Sequence, residues 1–222
     1  MLQTQTVERG TFALLAKLMK DPELSKFNLA GGTSLSLQIG HRRSIDLDLF
    51  TEHGFDTFAL NKHLESSYGF TRQFEERNTL SGKINDVKID LITYPYPPVK
   101  PYLKEDLGIR LYSMHDIAAM KLSAIAQNGT RLKDFVDIAC LSSKMSLNDM
   151  LEAYAAKFPH SNPLIPRKAL NYYNDINHAV EIDMIGGRYD WESVKTRLNL
   201  LADHPDKKFS ELVCHKDRGL SR

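Results

Sequence analysis

Cysteine is nearly absent. The chain has two, Cys140 and Cys214, far apart and outside any CxxC pattern. That excludes a disulfide framework and fits a reducing cytosol, so a cytoplasmic location is expected. Long apolar runs are missing too: none approaches the roughly 18 residues of a membrane span, so no membrane partner is expected. No basic segment leading into an apolar run opens the chain, so no secretory leader is expected. Net charge is close to nil, at +1, which removes a global basic field as a route to nucleic acid and leaves only a local patch. The eight histidines are scattered singly, with no HExxH or Cys–His spacing, which argues against structural zinc. There is no internal repeat and no low-complexity linker. What remains is the composition of an ordinary globular chain, 222 residues with 42% hydrophobic and 26% charged. It has room for one large domain or two small ones.

Local patterns divide the chain near residue 112. Before it, a helix is expected over 7–20, closed by Asp21-Pro22, followed by a strand over 27–30. Gly31-Gly32 then turns into a helix over 33–39. Residues 45–50 alternate strictly and predict a strand, with a helix after it over 58–68. Strands are expected over 70–76, 79–84 and 87–93, the last two joined as a hairpin by Asn85-Asp86. The proline-rich run 94–101 predicts a loop, and a final strand is expected over 108–112. From Ser113 on, helices are expected over 113–127, 132–142, 147–156, 167–176 and 191–201, the first opened by Ser113 and Asp116 as a capping box. The fold class is therefore α+β. A mixed α/β part over 1–112 precedes a helical part over 113–222, and substrate is expected in a cleft between them.

The segment LAGGTSLSLQIGHRRSIDLDLF, residues 29–50, carries the most chemistry. In a strand, Ile45, Leu47 and Leu49 point into the core, and Asp46 and Asp48 point the other way, side by side. Two such carboxylates are either a solvated face or a seat for a hard cation such as Mg²⁺, which takes one or two carboxylates plus substrate phosphates. Three features favour the second. Gly31-Gly32 opens a helix whose free N–H groups suit a phosphate, with Thr33 and Ser34 adding hydroxyls. Asp90 lies on the polar face of the 87–93 strand with Lys88, and completes a triad if that strand lies beside 45–50. Three carboxylates holding two metals can activate a hydroxyl and steady a pyrophosphate leaving group. Finally, Lys121 falls among Met114, Ile117, Ala124 and Ile125 on an apolar helix face. There it either faces a phosphate or forms an internal salt bridge, with Asp134 as the natural partner. Asp134 and Asp137 cluster with Ile138 and Leu141 on the next helix, where acids need partners.

A Gly-Gly pair, thirteen residues, a D-x-D with apolar flanks and a later strand Asp resemble the DNA polymerase β-type nucleotidyltransferases. With KIDLITYPYPP and the block MHDIAAMKLSAIAQNGTRLKDFVDIACL, the chain more narrowly resembles the AbiEii/AbiGii-type nucleotidyltransferases, the toxins of abortive infection and type IV toxin–antitoxin systems. The resemblance implies a nucleotidyltransferase-like mixed sheet with flanking helices. It implies Mg²⁺ or Mn²⁺ held by Asp46, Asp48 and Asp90, with Asp90 the third carboxylate or base. It implies a triphosphate cradle of Gly31, Gly32, Thr33, Ser34 and Ser44, supported by Arg42 rather than Arg43. Lys121 and Asp134 join the catalytic set and Asp137 the nucleotide-binding set; Lys133-Asp134 stands where the family commonly has Arg-Asp. The implied activity moves an NMP from an NTP onto tRNA, another RNA or a protein, with a cognate antitoxin as partner. A small-molecule nucleotidyltransferase of the antibiotic-modifying kind and a catalytically silent interaction protein are the competing readings.

Overall fold

A computed structural model describes residues 1–210 and Val213. Cys214 lies outside the described residues. The chain forms two compact units, one of residues 1–38 and 44–113, the other of residues 39–43 and 114 onward. The short segment 39–43 thus belongs with the C-terminal helices, although it links two elements of the first unit.

The first unit is a mixed seven-stranded sheet with helices. Its helices are α1 (Arg9–Leu18), α2 (Gly31–Ile39) and α3 (Thr57–Tyr68). Its strands are β1 (Asn28–Leu29), β2 (Leu47–Thr51), β3 (Thr71–Glu76), β4 (Thr79–Ile84), β5 (Val87–Thr93), β6 (Leu103–Lys104) and β7 (Arg110–Leu111), in the order β3-β4-β5-β2-β1-β7-β6. β2 and β5 run parallel at the centre, and β4 and β5 form the expected hairpin. Its turn residues Asn85 and Asp86 have φ of 47° and 64°, the left-handed pair that a two-residue hairpin requires. Leu47, Leu49, Ile89, Leu91 and Leu80 point into one core with Leu15 and Leu18 of α1 and Leu60 and Leu64 of α3. Gly82 in β4 is obligatory, because a Cβ there would lie 2.4 Å from both the Phe70 ring and the Thr71 carbonyl.

The structure corrects several sequence expectations. β2 starts at Leu47, so Ile45 is not a core residue; it is 60% exposed. The alternation that places Leu47 and Leu49 inside does not extend to it, because no strand pairing holds residues 44–46 in a pleat. β6 emerges from the stretch after the proline-rich loop, where two residues leave no periodicity to read.

The second unit holds α4 (Met114–Gln127), α5 (Leu132–Leu141), α6 (Leu147–Lys157), α7 (Leu164–Ala169) and α8 (Trp191–Asp203). α4 is its hub, packed on α5, α6 and α7, while α5 packs on α8. Ser146 and Asp149 form a full capping box at the start of α6. The helix expected over 167–176 lies earlier and is shorter, since Pro163 and Pro166 tolerate a first turn but the following Asn-rich stretch does not extend it. Among the described residues no helix is long and apolar enough to cross a membrane.

α4 and α6 are joined by a fully buried ion pair, Lys157 Nζ to Asp116 Oδ1 at 2.8 Å, with both side chains at 0% exposure. Removing one partner of such a pair strands the other charge, whereas replacing both by apolar groups is close to neutral. Lys157→Met should therefore cost about 3 kcal/mol in urea unfolding. The double change Asp116→Leu with Lys157→Met should recover most of that loss. Equal losses in the single and double variants would show that the pair does not act as a unit.

Candidate active site

The centre of the first unit's sheet brings acidic residues together by register. In the parallel pairing of β2 and β5, Asp48 stands opposite Asp90, flanked by Leu47 opposite Ile89 and Leu49 opposite Leu91. Opposed residues share a face, so the three leucines and Ile89 enter the core and the two carboxylates leave it together. Asp46 lies just ahead of β2 and is half-buried. Antiparallel β4 places Ser81 opposite Asp90 on the other side. The Ser81 hydroxyl donates to Asp90 Oδ1, and Lys88 Nζ donates to Asp90 Oδ2 at 2.7 Å. That hydrogen bond and the charge of Asp90 raise the Lys88 pKa against partial burial, and the carboxylates of Asp46 and Asp48 add to the same effect. Lys88 is therefore the ammonium that serves this acidic face.

α2 closes over the face from its N-terminal end. Gly31 has a φ of +65°, and a Cβ there would lie 1.9 Å from Asp48 Oδ2. Glycine is required both for the left-handed turn and for the approach of the Asp48 carboxylate to the start of the helix. Ala30 N–H donates to the Asp48 carbonyl at 2.8 Å, fixing the same junction. Thr33 is buried, and its hydroxyl contacts Ser44 Oγ at 2.8 Å and the Asp46 carbonyl. The hydroxyl thus pins the segment that carries Ser44 and Asp46 to α2. Ser34 is wholly buried, and its Oγ accepts from Gln38.

No three His, Cys, Asp or Glu side chains among the described residues stand ready as a metal cage. The donors nonetheless fit a hard divalent cation of the Mg²⁺ kind, which is commonly held through one or two carboxylates and completed by substrate phosphates. Asp46 and Asp48 would be those carboxylates, and Asp90 is engaged on both oxygens by Ser81 and Lys88.

The remaining sequence-nominated residues meet in the second unit. Asp137 is fully buried and accepts on both oxygens. Its Oδ1 takes His41 Nε2 at 2.8 Å and Arg42 Nε at 2.7 Å; its Oδ2 takes Arg42 Nη2 at 3.0 Å and Lys121 Nζ at 2.9 Å. Lys121 also donates to Asp134 Oδ1. The internal pairing of Lys121 with Asp134, open on the sequence, is thus present, and Asp137 shares the same ammonium. Among the described residues Asp134 Oδ2 has no hydrogen-bond partner, and the Arg131 guanidinium lies 3.6 Å from it. Burial pushes the Asp137 pKa upward, but Arg42, then Lys121 and the hydrogen bonds, outweigh it and hold the carboxyl well below its usual range. Burial opposes the charge on Lys121, and Asp137 with Asp134 more than restores it.

Segment 39–43 is stitched into this unit by its backbone as well. Ile185 N–H donates to the His41 carbonyl at 2.9 Å, and Arg43 N–H to the Asp183 carbonyl at 2.8 Å. Arg42 is 3% exposed and forms a two-pronged bond with Asp137, while Arg43 is exposed and pairs with Asp183. Sequence reasoning did not nominate His41, Ser81 or Lys88. Lys88 had a signal, two residues before Asp90 on one strand face. Ser81 had none, since its place depends on the hairpin register. For His41 the only hint was its neighbour Arg42.

Two expectations follow. Burial lowers the His41 pKa, with the Asp137 hydrogen bond opposing and the charges of Arg42 and Lys121 adding to the decrease. The unfolded chain then binds a proton near pH 6.5 that the folded chain refuses, so stability is full above that pH and is lost as pH falls towards the lowered folded value. Between pH 7.5 and 5.5 the wild type should lose about 1 kcal/mol more than His41→Gln, which keeps a donor for Asp137 without titrating. Parallel pH profiles of the two proteins in urea unfolding would refute it. The second concerns Gly31. Gly31→Ala should cost about 1–2 kcal/mol for the left-handed residue alone, and more because the Asp48 carboxylate must move. Wild-type stability in that variant would show that the approach of Asp48 to α2 is slack.

The family described as nucleotidyl transferase AbiEii toxin, type IV toxin–antitoxin system, matches residues 13–212. An uncharacterized protein of Aquifex aeolicus (strain VF5) is 33% identical over 174 residues, covering 76% of this chain and 82% of that protein. A histidine–tRNA ligase of Buchnera aphidicola subsp. Schizaphis graminum is 27% identical over 128 residues, 52% of this chain and 29% of the ligase. Among solved structures, the Megavirus polyadenylate synthase is similar at a TM-score of 0.40 and 16% identity, over 72% of this chain; the chain spans 34% of that protein's length. The extended family match and the Aquifex relative decide the matter: the chain belongs to the nucleotidyl transferase AbiEii toxin family.

Proposed function

We propose that this protein transfers a nucleoside monophosphate from an NTP to an acceptor, with Asp46 and Asp48 holding Mg²⁺ or Mn²⁺. The observation that carries the reading is the junction of three elements at one point. Register sets Asp48 beside Asp90, and Gly31 lets the start of α2 approach the Asp48 carboxylate. A helix start offers free backbone N–H groups and a positive dipole end to a phosphate. Gly31 and Gly32 present that backbone with the hydroxyls of Thr33 and Ser34 beside it, while the contact of Thr33 with Ser44 and the Asp46 carbonyl keeps α2 and the carboxylate segment in register. The bound metal would neutralise charge on the triphosphate and orient it.

The protein's own part is positioning and proton handling. Asp90 is the base for the acceptor hydroxyl: once released from Lys88, its Oδ2 can take the proton as the hydroxyl oxygen attacks the α-phosphorus and the bond to pyrophosphate breaks. Within the second unit Lys121 is held by Asp134 and Asp137. Arg42 and Asp137 serve the nucleotide by holding one another and Lys121 in place. The acceptor is tRNA, another RNA or a protein, and the physiological role is that of a toxin restrained by a cognate antitoxin in the cytoplasm.

The test is incubation with each α-labelled NTP, a divalent cation, and total RNA or protein extract. Label should pass to a discrete acceptor from one or two of the nucleotides. Asp48→Asn should keep the fold, since its side chain leaves the core, and should lower transfer at least about a hundredfold, the scale of losing one charge-stabilising group at a reacting centre. Undiminished transfer by Asp48→Asn at unchanged melting temperature would reject the site. Absence of transfer from all four nucleotides by the wild type would reject the activity.

A further inference from the structure

We propose that Lys88 occupies the place of a second metal ion at this site, so that the protein works with one bound divalent cation and a built-in ammonium. The inference rests on the reading of Asp46 and Asp48 as metal ligands, and it concerns a residue that reading leaves out.

A site that clamps the attacking and leaving oxygens with two cations needs the third carboxylate to ligate one of them. Here that carboxylate is Asp90, and both its oxygens are engaged within the sheet. Ser81, its partner across β4, donates to Oδ1, and Lys88 donates to Oδ2 at 2.7 Å. Lys88 reaches Oδ2 along its own strand: residues 88 and 90 share a face of β5, so the contact needs no unusual backbone. A second divalent cation would have to displace the Lys88 ammonium from Asp90 and then sit beside it. Two cationic centres at about 4 Å repel by several kcal/mol at the effective dielectric of a protein surface.

The arrangement gives Lys88 a definite task. In the resting protein it holds Asp90 as an ion pair. When an acceptor hydroxyl approaches Asp90, the ammonium swings from Oδ2 to a neighbouring phosphate oxygen and supplies there the charge that a second metal supplies elsewhere. Lys88 has the freedom to do so, since its side chain is 45% exposed.

Counting bound Mn²⁺ tests this without any turnover. Free Mn²⁺ is followed by electron paramagnetic resonance during titration of the full chain, alone and with non-hydrolysable analogues of the four common nucleoside triphosphates. The wild type should bind one Mn²⁺ per chain, counting any ion that the analogue brings with it. Lys88→Met should bind two, because Asp90 is released to ligate. Lys88→Arg keeps the charge and should stay at one. Adding Asp90→Asn to Lys88→Met should return the count to one. Two ions in the wild type, or one in Lys88→Met with its melting temperature unchanged, would overturn the proposal. No Mn²⁺ on any of these proteins would overturn the metal reading of Asp46 and Asp48 and this inference with it. One ion in the wild type and two in Lys88→Met, with no nucleotide transferred, would uphold the inference while sinking the activity.

Discussion

Parallel pairing of β2 with β5 is the constraint on which the acidic face depends. The two strands are far apart in sequence, and between them the chain must pass through α3 and two further strands. Once Leu47 and Leu49 are buried opposite Ile89 and Leu91, the register has no freedom, because a slip of one residue would turn every leucine out of the core. The same register leaves Asp48 and Asp90 side by side. Hydrophobic burial, which is indifferent to charge, therefore sets the spacing of the carboxylates. Their mutual repulsion is tolerated because Lys88 and Ser81 are delivered to Asp90 by the same pairings.

A second constraint acts on the segment between α2 and β2. Residues 39–43 belong to the helical unit, yet Ser44 resumes the first unit, donating its N–H to the Thr6 carbonyl at 2.9 Å and meeting the Thr33 hydroxyl. Arg42 is only four residues from Asp46. Its two-pronged bond to Asp137 is buried in a cluster with Lys121 and Asp134, and the exposed Arg131 lies at the edge of that cluster. A lysine at position 42 would keep the charge but lose the fork that engages both oxygens. Such a cluster is a poor source of stability relative to an apolar core, because its desolvation cost is large. Its effect is better described as specificity: each partner has one place where its charge is satisfied.

Much of this was legible in the sequence, and the limits have physical causes. Period-two alternation located β2, β4 and β5, and the Asn85-Asp86 turn located their hairpin, because each signal is local. The polar face of Asp48, Asp90 and Lys88 follows from the same alternation. The Lys121–Asp134 partnership was accessible because helical periodicity places an acid and a base on apolar faces, where each needs the other. Ile45 misled because alternation continues in the letters after the pairing has ended. The embedding of Arg42 could not be read, since the cue was a long-range pairing with residues 183–185 and a partner 95 positions away. Nor could Ser81, whose role is fixed only by which residues face each other across two antiparallel strands.

The contrast between the two charge clusters bears on how such a fold can be both stable and reactive. In the helical unit Asp137 is buried and accepts from His41, Arg42 and Lys121, and these partners hold its carboxyl well below its usual range. On the sheet Asp90 is paired with a half-exposed lysine on a flexible stem, and Asp46 and Asp48 sit at intermediate exposure. Solvent lowers the cost of rearranging the second cluster and leaves the first fixed. The proposed transfer would bring in a cation, hold a polyphosphate and release pyrophosphate, and so would need charges that can be re-paired at small cost. The sheet face has that property because its register places the carboxylates where water reaches them, with a mobile ammonium already among them.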